Sequence, residues 1–181
     1  MRKLLYSFIY KCILGWKYVV SVPFFDKCVI CAAPHTTNYD LFVGKLFYGV
    51  IGKRASFLIK KEWFFFPFDV VMKLIGGIPV DRRHKTSLTQ QMVEVFNKRR
   101  HFNLAITPEG TRQANADWKK GFYYIALEAK VPIVLIGIDY PSKTINATKY
   151  LMPNGDVDTQ MNEIKHYFLQ FKGRHPENFA I

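Results

Sequence analysis

The sequence predicts an α/β domain with a mostly parallel central sheet, covered by helices on both faces and preceded by an N-terminal amphipathic helix. Three observations predict it. Short apolar runs rich in Val and Ile alternate with amphipathic, helix-length segments from Cys28 to Lys172. The chemically capable residues His35, Lys60, Arg82 and Arg112 each follow a strand-like run, at the carboxyl edge where such sheets place ligands. The chain has 181 residues with no internal repeat or low-complexity linker, the size of one domain. The division expected is a helix over residues 1–23 and a single α/β domain over 24–181.

Composition narrows the partners without selecting one. The formal net charge is +12 and the pI about 9.6, a balance that attracts nucleic acid, anionic lipid head groups or phosphorylated substrates. Aromatic residues make up 16% of the chain, with 16 Phe, which suits a protein that packs a core and also meets lipid. The three cysteines, Cys12, Cys28 and Cys31, do not form an even disulfide framework. Cys28 and Cys31 have CxxC spacing, but residues three apart on a strand point to opposite faces. No second Cys/His cluster completes a metal site. The expectation is a reducing cytosolic setting with no metal.

Taken in order, Leu5, Phe8, Ile9, Cys12, Ile13, Trp16, Val19 and Val20 recur at three- and four-residue steps, one face of a helix ended by Pro23. Lys11 interrupts the apolar run, which argues against a spanning helix and, with no small-residue cleavage site, against a signal peptide. Such a helix lies on an anionic membrane surface with its lysines toward head groups, or packs on its own domain. Periodicity leaves both open.

The run Cys28–Ala33 reads as a buried strand ended by Pro34, which puts His35 at a strand exit and Asp40 five residues later at a helix start. Thr37 or Asn38 suits the N-cap. A turn there can fold the carboxylate against the imidazole, fix its tautomer and leave the other nitrogen to accept a proton. On spacing alone, a polar loop histidine and a helix N-terminal charge remain the alternative.

A helix from Leu41 to Ile51 and a strand from Ala55 to Ile59 follow, then the aromatic cluster Trp63–Phe68. That cluster either packs in the core or meets an acyl chain or membrane. A helix over Phe68–Ile75 leads through Gly76-Gly77 to the strand Ile78–Val80, and Arg82 and Arg83 after it form a plausible phosphate clamp or a solvated pair. Lys85–Arg100 reads as a helix with Leu88, Met92, Val95 and Phe96 inward. The strand Phe102–Ile106 delivers Thr107–Arg112, in which Gly110 permits a tight turn, Glu109 can orient neighbours and Arg112 can bind an anion. A helix over Phe122–Ala129, a strand over Val131–Ile138, a polar connection to Lys149–Met152 and a helix over Asp158–Lys172 complete the chain.

Four motifs in this order, His35-x4-Asp40, Gly77-x3-Asp81-Arg82, Pro108-Glu109-Gly110-Thr111-Arg112 and Val131-Pro132-Ile133-Val134, span about residues 28–140. They resemble the glycerolipid acyltransferases, and within them the bacterial 1-acylglycerol-3-phosphate type. Pro34, Pro79 and Leu135 depart from the residues common at those places in the family. The resemblance implies that His35 is the general base for an acceptor hydroxyl and that Asp40 orients it. Lys60, Arg82, Glu109, Gly110, Thr111 and Arg112 would bind the substrate. It implies an acyl thioester co-substrate (acyl-CoA or acyl-carrier protein), no other cofactor, and a lysophospholipid acceptor. Either 1-acylglycerol-3-phosphate giving phosphatidic acid or an amino-acid-containing lysolipid fits that acceptor role. The expected location is peripheral or monotopic, on the cytoplasmic face of the inner membrane, with no nucleic-acid partner. Two rival readings are a non-catalytic basic membrane- or nucleic-acid-binding module and a hydrolase using His35 and Arg112.

Overall fold

Alternation with period two in the most buried strands decides the architecture. In β2 (Lys27–Ala33) and β6 (Ile133–Asp139), Val29, Cys31, Ala33, Ile133 and Leu135 enter one apolar cluster. Cys28, Ile30, Val134, Ile136 and Ile138 enter another on the opposite face. A sheet apolar on both faces must be covered on both. In this computed structural model, which describes residues 2–80 and 88–181, it is. One layer is α4 (Leu88–Lys98), α5 (Gly121–Glu128) and α6 (Val157–Phe168), which bury Met92, Phe96, Phe122, Ile125, Ile164 and Phe168. The other is α2 (Tyr39–Val50), which buries Val43, Leu46, Phe47 and Val50 beside Tyr10 and Trp16. The predicted CxxC residues are free thiols, both buried, one in each cluster.

The remaining strands are β1 (Lys17–Val20), β3 (Ser56–Lys60), β4 (Gly77–Val80), β5 (Phe102–Ile106) and β7 (Thr144–Leu151), and the order across the sheet is β1-β7-β6-β2-β5-β3-β4. From β6 to β4 all neighbours are parallel. β7 runs antiparallel to β6, and β1 is parallel to β7. The sheet is therefore mostly parallel, as its alternating pattern predicts, and β2 lies between β5 and β6.

The N-terminal segment departs from the predicted single helix. A helix α1 (Arg2–Ser7) runs into a π-helical turn, Phe8–Ile13, and then residues 17–20 form β1. Tyr18, Val19 and Val20 favour extended backbone, and β7 offers them an open edge. That edge was hidden in the sequence, because most of β7 reads as a polar connection. Tyr10 and Trp16 are buried against the domain, and the Tyr10 hydroxyl donates to the Lys17 carbonyl at 2.8 Å. Leu4, Leu5, Phe8 and Ile13 remain exposed. Among the described residues no helix is long and apolar enough to cross a membrane. The aromatic cluster after β3 is not core at Phe65, Phe66 and Phe68, which are exposed at the start of α3 (Phe68–Leu74).

Candidate active site

His35 lies in the short link between β2 and α2, and Asp40 in the first turn of α2. The imidazole Nδ1 meets Asp40 Oδ2 at 3.1 Å. The same oxygen accepts from the backbone N–H groups of Thr36 at 2.9 Å and Thr37 at 3.0 Å. Asp40 Oδ1 accepts from the Tyr140 hydroxyl at 2.5 Å. Asp40 is buried, and a buried carboxylate is tolerable only when donors replace its lost water. Asn38 stands at the N-cap but makes no side-chain cap bond; Asp40 itself reaches back to the free N–H groups, and Thr37 Oγ1 accepts from Tyr39 N at 3.3 Å. With Nδ1–H held by Asp40, Nε2 of His35 is the nitrogen left to accept a proton. The His35 side chain is 16% exposed, enough to be reached from outside.

Glu109 comes from the loop after β5, the parallel neighbour of β2. Its buried carboxyl accepts from the His35 backbone N–H at 3.0 and 3.1 Å, one contact to each oxygen. The predicted orienting role is thus directed at the backbone of the histidine. Burial raises the Glu109 carboxyl to about 7, against the pull of the His35 N–H and imidazole. Gly110 supplies φ +69° for the tight turn, a region where a side chain is strained, and its N–H donates to Thr107 at 3.2 Å. Asn115 Nδ2 donates to the Glu109 carbonyl at 2.8 Å, and Thr111 Oγ1 accepts from Gln113 N at 3.3 Å. Arg112 is exposed and takes no ion-pair partner among the described residues. Lys60 closes β3, the next strand beyond β5. Arg82 lies outside the described residues.

Two features escaped sequence reasoning. Tyr140 follows β6, the other neighbour of β2, and places its hydroxyl on Asp40 while Trp16 packs edge-on against its ring at 5.1 Å. Burial and the Asp40 charge both push its phenol upward. Its position just after an apolar strand was the available signal. The second is the stretch after α6. Lys172 accepts at its carbonyl from Tyr140 N at 2.9 Å, and His175 N donates to Thr36 Oγ1 at 3.2 Å. The Arg174 guanidinium stacks over the Tyr39 ring at 5.6 Å. A Cβ on Gly173 would lie 2.7 Å from the Thr36 side chain.

Chemically, the arrangement is a base held by a carboxylate, its backbone pinned by a second carboxyl, with a basic loop beside it. Comparisons with known proteins identify the family and the fold. A family model described as Acyltransferase matches residues 19–139. The human 1-acyl-sn-glycerol-3-phosphate acyltransferase beta is 31% identical over 120 residues, covering 63% of this chain and 43% of the relative. The Escherichia coli (strain K12) 1-acyl-sn-glycerol-3-phosphate acyltransferase is 28% identical over 138 residues, covering 73% and 54%. The chain thus spans about half the length of these relatives. The crystal structure of the 1-acyl-sn-glycerophosphate (LPA) acyltransferase PlsC from Thermotoga maritima superposes with a TM-score of 0.64 at 16% identity, covering 93% of this chain and 78% of that one. That likeness establishes the fold.

Proposed function

The chain belongs to the acyltransferase family whose model it matches, and on that premise we propose that it moves a fatty acyl group from an acyl thioester to the hydroxyl of a lysophospholipid. The acceptor is 1-acylglycerol-3-phosphate and the product phosphatidic acid. The observation that carries the reading is the His35–Asp40 contact at a strand exit, with Glu109 on the His35 backbone. Nε2 of His35 takes the acceptor hydroxyl proton as the oxygen attacks the thioester carbonyl. The tetrahedral intermediate collapses, the C–S bond breaks, and His35 returns the proton to the departing thiolate. Asp40 holds the imidazolium formed in between, and no acyl-enzyme is required.

Lys60, Arg82 and Arg112 hold the acceptor phosphate, with Glu109, Gly110 and Thr111 shaping the loop. The donor is acyl-CoA or acyl-carrier protein. The protein works peripherally at the cytoplasmic face of the inner membrane, a placement supported by the exposed Leu4, Leu5 and Phe8. The test is acyl transfer by the full chain, from each donor in turn, with phosphatidic acid measured by mass spectrometry. Proton transfer to a positioned base contributes about 10²–10⁴-fold, so His35→Ala should lose that much turnover at unchanged melting temperature. Full activity in His35→Ala sinks the mechanism, and faster turnover of an amino-acid-containing lysolipid reassigns the acceptor.

A further inference from the structure

A cleft of about 1040 Å³ opens at the starts of β3, β4 and β5. His35 and Glu109 follow the opposite, carboxyl ends of their strands. The seven residues of β2 put roughly 20 Å between the two edges. Seven Lys and Arg side chains line the cleft: Arg2, Lys3, Lys45, Lys53, Arg54, Lys73 and Arg99. Lys73 is taken by Asp69 at 2.9 Å, and none of the other six has a carboxylate partner among the described residues. The one acid in the lining, Asp26, is taken by His101 at 3.0 Å. Elsewhere on the surface lysines find acids, as in Lys119–Asp117, Lys120–Asp158 and Lys149–Glu163.

Three of the unpaired cations are also held in place. Lys45 donates to the carbonyls of Ile75 and Ala55, and its ammonium is pushed toward neutrality by burial and by Arg54. Lys53 stacks over Phe24 at 5.3 Å and Arg99 over Phe102 at 5.1 Å. Converging cations in a concavity focus field lines and concentrate anions. Guanidinium groups bind phosphate oxygens in pairs. A cleft of this volume is large enough for a ligand, not only for a single ion.

We propose that this cleft is a second anion site, separate from the reacting centre, that takes a ligand bearing more than one phosphate charge. Two sources offer that chemistry: a soluble polyphosphate or the head groups of anionic phospholipid. The test uses the full chain with inorganic pyrophosphate in calorimetry, and with phosphatidate-containing or pure phosphatidylcholine vesicles in co-sedimentation. The triple variant Lys53→Gln/Arg54→Gln/Arg99→Gln is compared with Lys120→Gln/Lys130→Gln/Lys149→Gln, which removes the same charge outside the cleft.

The expected result is saturable binding weakened by about ten-fold or more in the cleft variant and by less than about two-fold in the other. Binding should also survive Arg112→Ala. Loss confined to pyrophosphate assigns a soluble ligand, and loss confined to phosphatidate vesicles assigns a lipid head group. Equal weakening in both triple variants, or no saturable binding of either probe, overturns the proposal. No acyl transfer enters the readout, so failure of the catalytic reading leaves this test intact.

Discussion

Four donors converge on the Asp40 carboxylate: the His35 ring, two backbone N–H groups and the Tyr140 hydroxyl. They replace the water lost on burial, and they leave His35 one tautomer. Glu109 lies under the opposite influence. Burial lifts its carboxyl from the ordinary 4.5 to about 7. Between those values the folded chain keeps a proton that the unfolded chain releases, so stability falls as pH rises across the interval. The contribution is fully present below pH 4.5 and gone above about 7, a difference of roughly 3 kcal/mol. Glu109→Gln keeps an acceptor for the His35 N–H and removes the titration. In urea unfolding, the wild type should lose stability relative to Glu109→Gln as pH rises from 4.5 to 7; parallel curves would contradict this.

At the level of elements, the turn between β2 and α2 is held from three sides: by the loop after β5, by Tyr140 after β6 and by the stretch after α6. The last contact is close enough to test. A Cβ on residue 173 would stand 2.7 Å from the Thr36 side chain, whereas one on Gly121 meets nothing within 4 Å. Overpacking of this kind costs about 1–3 kcal/mol. Gly173→Ala should lower both melting temperature and turnover, and Gly121→Ala should do neither. If the two variants behave alike, residue 173 does not press on the β2-to-α2 turn. The β2-to-α2 turn and the loop after β5 are legible in sequence, because each is a short run in which residue types and spacing carry the geometry. The contacts of Tyr140 are not, since its partner Asp40 lies 100 residues away.

Across the whole molecule, apolar and basic surface lie together on the N-terminal segment. Leu4, Leu5 and Phe8 are exposed, while Tyr10 and Trp16 anchor the segment to the core. A membrane-facing role therefore does not require release of the segment from the domain. Leu4→Ser/Leu5→Ser/Phe8→Ser should reduce co-sedimentation with anionic vesicles at unchanged melting temperature, because interfacial binding scales with buried apolar area. Wild-type binding should also weaken with added salt, which screens exposed charge. Retention of full binding by the triple variant would remove the segment from the interface.

The sequence by itself determined the alternating plan, the two-faced apolar strands and the strand exits that carry His35, Glu109 and Arg112. These are local matters of period, turn chemistry and residue type. Only the tertiary structure decided that residues 17–20 become an edge strand instead of the end of a helix. It alone showed that Tyr140 and the stretch after α6 complete the setting of Asp40 and His35. Strand order is the physical reason. Pairing β2 with β5 on one side and β6 on the other brings distant exits to one edge of the sheet, and β7 offers its free backbone to β1. Neither outcome is written in any short stretch of residues.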